Sequence, residues 1–99
     1  LHDALPILTK TTASATIAAS ETWVIFNGNA IIITVTLPAP ATNVGRELYF
    51  KNVQPFVVNS ASANVVPLAG GAASTALLPA TAGSAVTLVS DGTNWIIMA

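Results

Sequence analysis

The sequence predicts an all-β domain, a small antiparallel β-sandwich or barrel-like fold of short strands and hairpins. Three observations carry this. Val, Ile and Thr make up 30 of the 99 residues, a composition that favours strands over helices. Turn residues recur roughly every 8–12 positions, the spacing of sandwiches and barrels. Two Asx-Gly dipeptides, Asn27-Gly28 and Asp91-Gly92, sit between β-branched runs, the strongest short-range signal for a hairpin.

The elements follow in order. Residues 8–20 are rich in Ala, Thr and Ser and read as a lead-in linker or strand, with the β domain proper at 21–99. Thr22-Trp23-Val24-Ile25-Phe26 is a strand. Asn27-Gly28 then predicts a two-residue type I′ turn, with positive φ at Gly28, and Ile31 to Leu37 is its return strand. Pro38 and Pro40 stop that strand, because neither can donate to a ladder. Arg46 to Asn52 is a strand with Glu47, Tyr49 and Lys51 on one face and Leu48 and Phe50 on the other. Pro55 breaks it. Phe56–Asn59, Asn64–Val66 and Thr75–Leu78 are short strands around turn-rich segments. Ala85–Ser90 and Thr93–Ala99 form the last hairpin, with Asp91-Gly92 as a second primed turn and positive φ at Gly92.

Residues 1–7 do not match this pattern. They hold the single His and one of the four acids. Leu-His-Asp-Ala-Leu-Pro-Ile is also what CTA CAC GAC GCT CTT CCG ATC encodes, a string resembling the end of a sequencing adaptor. The segment is therefore expected to be extraneous or a disordered tail, to contribute nothing to the fold, and to leave the chain without a functional histidine.

Composition narrows the function classes. Only 7% of the residues are charged and the net charge is −1, so no electrostatic footprint for nucleic acid exists. No apolar run approaches a membrane span. No basic region leads into an apolar stretch, so no signal peptide is expected. Cysteine is absent, which removes disulfides and thiolate chemistry. A soluble surface normally carries about 25–35% charged residues. This one must be coated by Ser, Thr and Asn, or be covered by identical neighbours.

No constellation points to catalysis, a cofactor or a metal. Outside residues 1–7 the acids are Glu21, Glu47 and Asp91, each in a different segment. No Gly-x-Ser-x-Gly elbow exists, and Gly70-Gly71 is not followed by a Lys-Ser/Thr pair. Asp91, Thr93 and Asn94 offer oxygens for Ca²⁺, but one carboxylate in a hairpin is more often only a turn. Arg46, Glu47 and Lys51 read as the solvated face of a strand, or alternatively as partners in an inter-subunit ion pair. Trp23, Tyr49 and Trp95 could stack on a sugar. Beside Ile and Val, the two indoles read better as filling a core or a subunit interface.

Three segments in fixed order carry a resemblance. They are Thr34-Val35-Thr36-Leu37-Pro38, Gly45-Arg46-Glu47-Leu48-Tyr49-Phe50-Lys51-Asn52, and Leu88-Val89-Ser90-Asp91-Gly92-Thr93-Asn94-Trp95. Together the pattern covers residues 14–99 and resembles the C-terminal β domain of phage tail-fibre and related virion structural proteins. The resemblance implies a non-enzymatic module that forms a homotrimer at the fibre tip and meets the host surface through its loops. It implies location on the virion, outside the cell, and supplies no catalytic residues. The runner-up is a bacterial surface or secreted carbohydrate-binding module acting as a monomer.

Overall fold

The computed structural model describes residues 7–99. The reading of the N-terminal segment as extraneous therefore lies outside the described residues for 1–6. Ile7, its last residue, opens the first strand. In chain order the strands are β1 (Ile7–Lys10), β2 (Ser14–Thr16), β3 (Trp23–Phe26), β4 (Ile33–Thr36), β5 (Glu47–Asn52), β6 (Val58–Ser60), β7 (Val65–Val66), β8 (Ala76–Leu78), β9 (Ala85–Ser90) and β10 (Trp95–Ile97). A 3-10 turn at Pro40–Thr42 lies between β4 and β5.

The chain is all-β, as the composition implies, but it is not an antiparallel stack. Its strands form two mixed sheets, one ordered β1-β3-β5-β9-β10-β7 and the other β2-β4-β6-β8. Through β6 the chain alternates between the sheets. Each return therefore lays a strand parallel to the one before it: β1-β3-β5 in one sheet and β2-β4-β6 in the other. Antiparallel pairs join β8 to β6, β9 to β5 and β10 to β9, while β7 at the far edge lies parallel to β10. Between the sheets lies one core. Val24, Phe26, Leu48, Phe50, Leu88 and Trp95 come from the first sheet, and Ala15, Ile33, Val35 and Val58 from the second. Phe26 and Phe50 meet edge-to-face at 5.1 Å, an arrangement aromatic rings favour.

The alternation within strands is as read. In β5, Leu48, Phe50 and Asn52 are buried, while Glu47 and Lys51 are exposed and Tyr49 is half-buried. The segment read as a lead-in supplies strands as well, since β1 pairs with β3 and β2 with β4, each at an edge of its sheet.

Asn27-Gly28 is not a hairpin turn. β3 and β4 belong to different sheets, so the segment is a crossover between them. Positive φ falls on Asn29 (63°) and Ala30 (69°), not on Gly28. Glycine is needed at 28 for space instead: a Cβ there would lie 2.5 Å from Ile31 Cγ1 and 3.2 Å from Ile33 Cδ1. Gln54, buried behind this loop, imposes its shape. Its Oε1 accepts from Gly28 N (2.9 Å) and Ala30 N (3.1 Å), and its Nε2 donates to Ile31 O.

The last hairpin exists, but with a longer loop than a two-residue turn. The outermost pair is Ser90 with Trp95, leaving four residues between them. Asp91 N donates to Asn94 O at 3.1 Å. Asp91 Oδ1 accepts from Thr93 N (2.9 Å) and Asn94 N (2.8 Å), so the carboxylate shapes the loop itself. Gly92 has the expected positive φ, 96°.

Candidate functional site

The two aromatic strands of the first sheet define the site. β3 and β5 run parallel with Trp23 opposite Tyr49 and Ile25 opposite Lys51. Neighbouring strands lie about 4.8 Å apart and their side chains stand off the sheet, so two rings in register must stack. Trp23 and Tyr49 do so, with centroids 4.2 Å apart and planes inclined by 14°. Register extends the row to Ile7 on β1 and to Thr87 on β9. Met98 N donates to Thr87 O and Thr87 N to Ala99 O, which brings the chain's last residues beside this row. The next row reads Thr9, Ile25, Lys51 and Ala85.

A groove of about 490 Å³ runs along this outer face, lined by Ile7, Trp23, Ile25, Tyr49, Lys51 and Thr87 among others. The face is apolar yet open. Ile7 is 64% exposed and Trp23 43%. The outer face of the second sheet is its opposite in character. Ser14 pairs with Thr34 and Thr16 with Thr36, giving an exposed block of hydroxyls.

The two tryptophans therefore part company. Trp95 is fully buried in the core, with its Nε1 donating to Pro38 O at 2.9 Å. Trp23 is not core, because Val24 and Phe26 take the inward positions of β3 and leave the alternate residues outside.

Most of the charge is engaged by the fold. Lys10 Nζ meets Glu21 Oε2 at 2.8 Å, and Ala18 N donates to Glu21 Oε1 at 2.8 Å. Arg46 donates to Ala18 O (2.9 Å) and Glu21 O (2.6 Å), binding that turn to the start of β5. Burial pushes the Glu21 carboxyl up. The Lys10 hydrogen bond, the Ala18 N–H and the charges of Lys10 and Arg46 together outweigh this and hold it below its ordinary value. Asp91 is also lowered, by the amides of Asn94 and Thr93. Glu47 and Lys51 are thus the two exposed charges among the described residues that the fold leaves on the open face. Tyr49 Oη donates to the Glu47 carboxylate, and this bond, with some burial and the nearby negative charge, raises the Tyr49 phenol.

The three acids do not converge. Glu21 is paired with Lys10, Glu47 lies beside Tyr49, and Asp91 is held in its own loop. Among the described residues, no three of His, Cys, Asp and Glu gather where they could hold a metal ion.

The sequence reading passed over several buried polar side chains. Asn52 Nδ2 donates to Phe56 O (2.7 Å) and Pro79 O (3.0 Å), tying β5 to two loops. Ser90 Oγ donates to Pro40 O at 2.8 Å. The three segments that carry the resemblance meet here. Trp95 bonds to Pro38, while Gly45 N donates to Ser90 O and Ser90 N to Arg46 O. These residues act as a clasp that joins strands and loops.

No family model matches the chain, and neither a curated protein nor a solved structure matches it.

Proposed function

We propose that the chain is a non-enzymatic structural module of a phage tail fibre or related virion protein. It would assemble as a homotrimer at the fibre tip through the outer face of the first sheet and meet the host surface through its loops. The carrying observation is the contrast between the two outer faces. One exposes Ile7 and Trp23 along an apolar groove, and the other presents hydroxyls. Fully burying a large apolar side chain is worth about 1.5–3 kcal/mol relative to leaving it exposed, so the first face gains by being covered. The scarcity of free charge fits a surface covered by its own copies. The number three comes from the tail-fibre resemblance.

A carbohydrate-binding module is the second reading, favoured by the exposed Trp23 beside Tyr49. A sugar stacks on the face of a ring. Here the two rings stack on each other, and each occupies one face of its neighbour. The interface reading fits this geometry better.

Sedimentation of the full chain at micromolar concentration tests the proposal. A trimer whose Trp23 emission shifts to the blue on assembly is the expected result. A stable monomer overturns it, and a monomer that binds glycans only while Trp23 is present establishes the second reading instead.

A further inference from the structure

The outward side of β5 carries Glu47, Tyr49 and Lys51, an anion and a cation flanking an aromatic ring. The charges lie four residues, roughly 13 Å, apart along the strand. Neither has an opposite charge across the ladder. Glu47 pairs with Val89, and Lys51 pairs with Ile25 and Ala85. The other described charges are unavailable: Lys10, Glu21 and Arg46 bind one another's segment, and Asp91 binds its own loop. β5 lies inside the sheet rather than at its edge, so both charges sit within the apolar face.

We propose that Glu47 and Lys51 form ion pairs between neighbouring copies, Lys51 of one copy against Glu47 of the next, and that these pairs set the strands of the first sheet across the axis of assembly. The inference rests on the reading of this face as an assembly surface. Its occupant is a second copy of the chain, because the charge pattern is complementary to itself. If the strands ran along a threefold axis, every Glu47 would sit at one height and every Lys51 at another, so like charges would face each other. With strands lying across the axis, the Lys51 end of each copy meets the Glu47 end of its neighbour and the ring closes. Charges of this kind add little affinity but select orientation and reject wrong registers. The Tyr49 hydroxyl engages only part of the Glu47 carboxylate, which has about four lone-pair positions.

Charge reversal in the full chain tests this. Both side chains are exposed, so Glu47→Lys, Lys51→Glu and the combined exchange should fold, which circular dichroism verifies. In low salt each single reversal should raise the dissociation constant of assembly by at least about tenfold, since it sets like charges together. The combined exchange should restore assembly to within about threefold of the parent. Tyr49→Phe, which removes only the hydroxyl, separates loss of the Tyr49–Glu47 bond from loss of the ion pair and should leave assembly intact. A parent chain that assembles equally well with either single reversal overturns the inference alone, as does a combined exchange no better than the single ones. A monomeric parent chain overturns the assembly reading and the inference with it.

Discussion

Gln54 offers a sharp test of how the crossover between the sheets is held. It is 2% exposed, and its amide satisfies three backbone groups of one loop: Gly28 N, Ala30 N and Ile31 O. Gln54→Leu keeps the bulk and removes all three bonds. Gly28 is buried, and an orphaned buried amide costs about 1–3 kcal/mol. Ala30 is exposed and recovers a bond to water, so it adds little. Ile31 is half-buried, and its carbonyl adds about 1 kcal/mol. The sum is a loss of about 2–4 kcal/mol. For a domain of this size, each kcal/mol lowers the melting temperature by roughly 4–8 °C. Urea and thermal unfolding measure the loss, and hydrogen exchange should show Gly28 N deprotected first. Gln54→Glu refines the test. It keeps the acceptor but faces Ile31 O with a carboxylate in place of the donor. Its deficit relative to the parent should shrink as acid protonates the carboxyl and gives it a hydrogen to donate. A loss below about 1 kcal/mol for Gln54→Leu, with Gly28 exchange unchanged, would refute the clamp.

Trp95→Ala should cost about 3–5 kcal/mol in urea unfolding, because it empties the core and frees Pro38 O. Trp23 remains as the fluorescent reporter. Ala30→Gly should stabilise by about 1 kcal/mol, because Ala30 sits at φ 69° and a Cβ is disfavoured there; an unchanged melting temperature would count against strain at that residue. Acid should destabilise the domain through Glu21. Its folded-state carboxyl lies below the ordinary 4.5, so its contribution is present above that pH and fades as pH falls through and below it. Glu21→Gln should flatten that part of the stability–pH curve, and an unaltered slope would remove Glu21 as the cause.

The elements were legible where side-chain alternation writes them. Leu48 and Phe50 against Glu47, Tyr49 and Lys51 fix which side of β5 faces inward, and the structure agrees. Pairing direction was not legible, because a strand's letters state which face is buried and not which neighbour lies beside it. Asn27-Gly28 looked like a local turn, and a residue more than twenty positions later, Gln54, decides its shape. The indoles show the same limit. Both lie beside Ile and Val, yet Val24 and Phe26 hold the inward positions of β3, so Trp23 falls outside while Trp95 falls inside. The stacked pair on the open face was out of reach for a related reason: Trp23 and Tyr49 meet only because β3 and β5 are parallel neighbours in register.

Among the ladders of the described residues, only that of β9 with β10 joins strands adjacent in sequence, and in its sheet this pair lies between β5 and β7. That placement orders events in time. The hairpin can close within microseconds, whereas every other pairing must first close a longer loop at an entropic cost. β5 waits for β9 as its second neighbour, and β7 waits for β10 as its strand partner. A chain emerging from the ribosome therefore carries its parallel strands unfinished until β9 and β10 have both emerged. Folding then belongs to the slow, non-local regime of milliseconds to seconds. Until that hairpin forms, the Trp23–Tyr49 face belongs to an incomplete sheet.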